Sequence, residues 1–184
     1  GSLAILGASA CVNEVDGGNV MGTLGDETGA ADEALHAECT PSQTVKGIDV
    51  SYYQGTINWS SVKNAGVKFA FVRVSDGLGY HDSKFSQNWS GAKAHGILRG
   101  AYQFFEPGES ATAQADLLIS KVGGKLGAND LPPVLDVEVS GGQSASHIAA
   151  GVKAWMNRIH DKLHVTGIIY TGPYFWQDSV GNAD

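Results

Sequence analysis

From residue 46 onward, apolar runs of strand length alternate with stretches of helical spacing, each pair closed by Gly or Pro. Val45 to Tyr52 alternates as a strand, and Asn58-Trp59 opens a short helix that runs through Val62 and Ala65 and stops at Gly66. Val67 to Val74 is almost wholly apolar, as a strand buried on both faces would be. Asp82 or Ser83 caps a helix carrying Phe85, Trp89 and Ala92 on one side and ending at Gly96. Ile97 to Phe105 is the third strand, closed by Pro107-Gly108, and a helix from about Ser110 to Val122 stops at Gly123-Gly124. Leu131 to Val139, between Pro132-Pro133 and Gly141-Gly142, is the fourth strand. Ser144 or Ser146 caps the longest helix, with Ile148, Val152, Trp155, Ile159 and Leu163 on one stripe; Val165 to Tyr170 is the fifth strand, ended by Gly172-Pro173. Repeated βα units of about 30 residues predict parallel strands joined by right-handed crossovers.

Both a barrel and an open doubly wound sheet accommodate such units. Polar and aromatic residues at the C-terminal ends of the strands favour the barrel, whose active site lies on that face. They are Asp49, Ser51 and Tyr52, then Arg73, Ser75 and Asp76, then Gln103, Phe105 and Glu106, then Asp136 and Glu138, and lastly Tyr170. The predicted class is α/β: an irregular TIM-like βα barrel, incomplete, with about five parallel strands, preceded by a disordered acidic N-terminal segment. No Gly-x-Gly-x-x-Gly opens a helix after the first strand and no phosphate loop is present, so no nucleotide cofactor is expected.

Charge divides the chain. Its net charge is −7, yet residues 1–45 hold seven acids and no Lys or Arg, so the remainder is neutral. No basic patch suggests nucleic acid. Residues 12–45, rich in Gly, Ala and acids and without a sustained period, read as an acidic flexible linker. Residues 1–11 read as the remnant of an export signal, with Ser2 to Ala10 too short to span a bilayer. Ala8-Ser9-Ala10-Cys11 also fits a lipoprotein cleavage box, which would tether the protein to a membrane through a lipidated Cys11. A plain signal cleaved after small residues fits equally. Cys39 is the second of two cysteines, so a Cys11–Cys39 disulfide stands as the alternative to lipidation. Either signal implies an exported protein, secreted or held at the outer surface or in the periplasm.

The chemistry centres on Leu135-Asp136-Val137-Glu138. Strand alternation puts Asp136 and Glu138 on one face about 6 to 7 Å apart. Two carboxylates in an apolar strand need partner charges or a raised pKa, which is the condition of a catalytic acid. Glycoside cleavage uses such a pair, one carboxylic acid protonating the leaving oxygen while a second group stabilises the oxocarbenium-like centre. Glu138 is the expected acid, its pKa raised by the apolar strand and by Asp136, with Asp136 remaining ionised. Tyr52, Tyr102, Phe104, Tyr170 and Trp176 are candidates for stacking on sugar faces, core packing being the competing role for Phe104 and Trp176 above all. The six histidines lack metal-ligand spacing, so no metal is expected, and no Ser has a His and Asp arrangement for acyl transfer.

Five ordered motifs carry a resemblance: Gly47-Ile48-Asp49-Val50-Ser51, Phe69 to Val74 leading into Ser75-Asp76-Gly77, Arg99 to Phe105, Leu135 to Glu138, and Tyr170-Thr171-Gly172. Together, over residues 46–184, they resemble glycoside hydrolase family 25, the N-acetylmuramidase lysozymes. The resemblance implies a barrel that cleaves the β-1,4 bond between N-acetylmuramic acid and N-acetylglucosamine in peptidoglycan, retaining and substrate-assisted. It assigns Glu138, Asp136 and Asp49 to catalysis, with Asp49 setting the hydrogen bonds around the pair, and places Arg73 and Asp76 among the sugar contacts with the aromatic residues. Arg73-Val74-Ser75-Asp76-Gly77 and Gln103 depart from the family pattern, where Lys-Ala-Thr-Glu-Gly and His are expected. The rival from another class is a non-catalytic peptidoglycan-binding module of an exported lipoprotein. Since a full barrel has eight strands, the resemblance also implies a domain truncated at its C-terminus, inactive as a fragment and monomeric at full length.

Overall fold

The computed structural model describes residues 5–8 and 45–181. Its strands are β1 (Ile5–Ala8), β2 (Val45–Val50), β3 (Phe69–Asp76), β4 (Tyr80–His81), β5 (Leu98–Phe104), β6 (Val134–Val137) and β7 (Ile168–Thr171). The main helices are α1 (Trp59–Asn64), α2 (Phe85–Ala94), α3 (Ala111–Lys121) and α4 (Ala145–Leu163). Cys11, Cys39 and the acidic linker up to residue 44 lie outside the described residues, as does most of the stretch read as an export signal.

Strands β2, β3, β5, β6 and β7 are parallel and lie side by side in chain order. A doubly wound sheet reverses direction at a switch point, and this one does not. Successive right-handed crossovers therefore put every helix on the same face, and the five strands curl into half a barrel. β4 forms a two-residue antiparallel pair with β3, and β1 pairs antiparallel with β2, neither of which the hydrophobic pattern foretold.

On the helix side Ile48, Val50, Ala70, Val72, Val74, Ala101, Leu135 and Val137 are buried against Trp59, Phe85, Trp89, Leu118, Ile148 and Trp155. The helices start where their caps stand, with Asn58, Ser110 and Ser144 each accepting a backbone N–H from the first turn. Neither expected cap of α2 is used as one. Lys84 holds that position, and Asp82 accepts the Lys84 N–H at 2.9 Å from two residues before it.

Three strands are shorter than their apolar runs. The fourth covers Val134–Val137 rather than residues 131–139, because prolines at 132 and 133 have no N–H for the ladder. The first stops at Val50, where Ser51 caps a 3₁₀ turn over Tyr52–Gln54, and the fifth begins at Ile168. On the open face, the Phe69 ring lies across Gly47 and the Phe71 ring across Gly100, so closely that a Cβ at either glycine would overlap the ring.

Candidate active site

Pleating sends alternate residues to the open face, and the parallel registers bring them into rows. One row joins Asp49, Phe71 and Gly100; the next joins Arg73, Tyr102, Val134 and Ile168. The last joins Asp76, Phe104, Asp136 and Tyr170 at the C-terminal ends of the strands. Asp76 reaches that row through a bulge, since the β3–β5 register shifts between Arg73 and Ser75. Val74 and Ser75 are both buried, and Asp76 returns to the half-buried open face. Strict alternation would have sent Asp76 into the helices.

Electrostatics place the acids in one another's field. Asp136 is pushed up to about 7, first by burial, then by Glu138 and Asp49, with Arg73 opposing and Asp76 adding. Its Oδ1 is buried and has no hydrogen-bond partner among the described residues. Burial also raises Asp49, against the opposing effect of a backbone hydrogen bond. The Tyr102 phenol is pushed up by burial and by Asp49, Asp136 and Asp82, against the pull of Arg73. Tyr170 is raised by burial, then by Glu138, Asp136 and Asp49. These mutual influences gather Asp49, Asp136, Glu138, Tyr102 and Tyr170 at one site. The sequence pattern expected the raised acid to be Glu138 and Asp136 to stay ionised. In the fold Asp136, half-buried within β6, is raised rather than left an ordinary carboxylate, and Glu138 stands exposed just beyond the ladder.

Other candidates divide. Tyr52 packs against Tyr53 (4.1 Å between centroids) and Tyr80 (5.4 Å), and all three rings approach Arg73. Asp76 lies close to the carboxyl of Glu106, whose pKa is raised by burial and by Asp76 and Glu109. Phe104 is half-buried beside Asp136, whereas Trp176 packs against the hydrophobic core at the start of a π-helical turn, Trp176–Val180. Gln103 and Ser75 leave the site altogether. Gln103 is fully buried on the helix side, where its Nε2 donates to Ser75 Oγ (2.9 Å) and its Oε1 accepts from Trp155 Nε1 (2.9 Å). Sequence reasoning missed Tyr53, Tyr80 and the role of Asp82. An unpaired Arg in an apolar strand was the signal for Asp82, since such a charge needs a nearby acid.

Among the described residues no three His, Cys, Asp or Glu side chains are grouped to hold a metal ion. A cavity of about 280 Å³ opens at the other end of β5, beside Lys93, Leu98 and Arg99. Arg99 and Asp130 of its lining are paired with each other, Arg99 Nε donating to Asp130 at 2.6 Å.

Against known proteins, the model of the glycosyl hydrolases family 25 matches residues 48–184. Lysozyme M1 of Streptomyces globisporus is 41% identical over 146 residues, which are 75% of this chain and 50% of that protein. The N,O-diacetylmuramidase of Arthroderma benhamiae is 34% identical over 170 residues, covering 87% of this chain and 72% of its own length. The crystal structure of a bacterial lysozyme from Streptomyces coelicolor superposes with a TM-score of 0.72 at 38% identity, covering 76% of this chain and 68% of that one. The chain thus spans about half the length of the bacterial lysozyme it matches in sequence.

Proposed function

The chain belongs to the glycosyl hydrolases of family 25, and on that footing we propose that the protein is a muramidase. It hydrolyses the β-1,4 bond between N-acetylmuramic acid and N-acetylglucosamine in peptidoglycan. The observation that carries this reading is the convergence of Asp49, Asp136 and Glu138 at the C-terminal face of the half-barrel, with the Asp136 carboxyl lifted to about 7 by burial and by its acidic neighbours. Relatives described as a lysozyme and an N,O-diacetylmuramidase support it.

Glu138, exposed just beyond β6, is free to meet the glycosidic oxygen and supplies its proton. Asp136 serves the N-acetyl group: as a carboxylate it accepts the amide N–H, which makes the carbonyl oxygen a better nucleophile toward the anomeric carbon. That oxygen forms the new bond as the glycosidic bond breaks. Water then opens the oxazolinium ring at the same carbon while Glu138 takes the water's proton, so configuration is retained. The free site holds Asp136 half-protonated near pH 7. A bound amide N–H stabilises its charged form and shifts it to the carboxylate, as any hydrogen bond to a charged acceptor does. Asp49 shares the field of the pair, while Tyr102 and Tyr170 border it; Tyr52, Arg73, Asp76 and Phe104 complete the wall along the sugar.

The substrate puts the site of action outside the membrane, and an export signal at residues 1–11, with Cys11 as a lipid tether or as a disulfide partner of Cys39, fits that placement. The working protein is taken as a monomer. The test is incubation of purified cell walls with the full-length protein. Clearing of the suspension with release of muramic acid reducing ends is expected. Sedimentation of the protein with walls that stay turbid would instead establish the non-catalytic binding module.

A further inference from the structure

Among the described groups that act on Asp136, one is cationic. Arg73 stands level with Tyr102 on the open face, its side chain 11% exposed. Its Nε donates to Asp82 Oδ2 at 3.1 Å. The Asp82 side chain is 0% exposed and has both oxygens engaged, Oδ2 also accepting the Tyr52 N–H at 2.9 Å and Oδ1 the Lys84 N–H. One carboxylate thereby ties the exit of β2, the cation on β3 and the entry to α2. The rings of Tyr52, Tyr53 and Tyr80 lie 5.2, 5.4 and 5.5 Å from the guanidinium carbon, and their electron-rich faces favour keeping the cation there. Burial works against the Arg73 charge, and Tyr102, Asp82 and Tyr80 outweigh it.

Resting on the muramidase reading, we propose that Arg73 and Asp82 are paired positioning residues for Asp136: Arg73 supplies the positive charge that favours its carboxylate, while Asp82 fixes the guanidinium in place and offsets part of that charge. The groups facing Asp136 from the surrounding elements are Asp49 on β2, Arg73 and Asp76 on β3, Tyr102 on β5, Tyr170 on β7 and Glu138 just beyond its own strand. Every one of these except Arg73 is acidic or phenolic, so the acids depend on one cation for balance. Since Arg73 and Asp136 stand in adjacent rows of one half-buried face, where charges are weakly screened, removing either partner must register at Asp136.

The two partners predict opposite signs, which separates this role from a tether. A purely structural Arg73–Asp82 link would be lost equally in either variant, so both would disturb Asp136 alike. The electrostatic pair instead requires that Asp82→Asn, which keeps shape and leaves Arg73 less neutralised, make Asp136 easier to ionise. Arg73→Met makes it harder to ionise, and Arg73→Lys, which keeps the charge, restores the original behaviour.

The experiment is a ¹³C NMR titration of the Asp136 carboxyl carbon in full-length labelled protein, the signal being assigned by its loss in Asp136→Asn. Asp82→Asn is expected to lower the titration midpoint by about half a pH unit, and Arg73→Met to raise it by at least as much, with Arg73→Lys near wild type. The acid limb of kcat/KM should move with each midpoint. Midpoints that stay fixed, or that move in the same direction in Asp82→Asn and Arg73→Met, overturn the proposal. Should Asp82→Asn fail to fold by circular dichroism, the contrast between Arg73→Met and Arg73→Lys decides, and equal midpoints there overturn it. Because the titration needs no turnover, a wild-type protein that clears no walls would refute the muramidase reading while leaving this test intact.

Discussion

The two faces of one sheet follow opposite rules. Toward the helices, β3, β5 and β6 present Ala70, Val72, Val74, Ala101, Leu135 and Val137, and the buried amide of Gln103 has both its oxygen and its nitrogen engaged. On the open side the same strands present Arg73, Tyr102 and Asp136, half-buried, with Asp136 Oδ1 buried and unpartnered. On the helix side the sheet's own buried polar side chains, Ser75, Arg99 and Gln103, are all partnered, although Trp59 Nε1 and the Asn88 amide among the helices are not. The open side withholds a partner from one carboxylate and surrounds it with others, so that its proton is held in the range where chemistry at neutral pH needs it. Neighbouring residues along one strand thus face a packed core and a polar cluster in alternation.

Substitutions on either face can break or sharpen that contrast. The largest effect should come from Glu138→Gln, which keeps shape but cannot donate a proton as an acid. Turnover on cell walls should fall by about two to four orders of magnitude with stability unchanged. Wall clearing at the wild-type rate would remove Glu138 from the reaction.

On the helix side, Gln103→Leu should do the reverse, costing about 1 to 3 kcal/mol of stability by leaving the Trp155 indole N–H and the Ser75 hydroxyl buried without their partner. Its kcat per folded molecule should stay close to wild type, and chemical denaturation measured beside single-turnover kinetics would show both. A stable variant with lost turnover would mean that Gln103 reaches across the sheet into the chemistry.

Asp136→Asn gives a smaller change in stability than Gln103→Leu and the clearest pH signature. The folded pKa of Asp136 is raised from 3.8 to about 7, so the folded state holds a proton that the unfolded chain has released. Its contribution to stability is therefore fully present below about pH 4 and is lost as pH rises through 7. Relative to this variant, the wild type should lose melting temperature steadily between pH 4 and 8, with no such drift below pH 4. A flat difference across that range would show that Asp136 is not held protonated in the fold.

Much of this was legible in the chain itself. Hydrophobic periodicity located all five parallel strands and the four main helices, because burial on one face or one stripe leaves a pattern in sequence that no tertiary contact needs to supply. The helix starts at Asn58, near Ser110 and at Ser144 or Ser146 were legible for the same reason, since a capping side chain acts within three residues. The acids at Asp49, Asp136 and Glu138 stood out because ionisable groups in apolar strands demand an explanation.

What the sequence could not carry was the placement of each side chain relative to distant ones. The bulge after Arg73 turns Asp76 back to the open face, and it is visible only as a register shift between two strands. Gln103 had the composition of a site residue, yet its partner Trp155 lies 52 positions away, and packing α4 on the sheet decided which face it served. The raised pKa of Asp136 followed from its place inside the ladder, since burial is the largest contribution to it. Periodicity and local chemistry fixed the elements and the candidate acids, while burial and long-range charge, which exist only once the strands are assembled, set the surroundings of each.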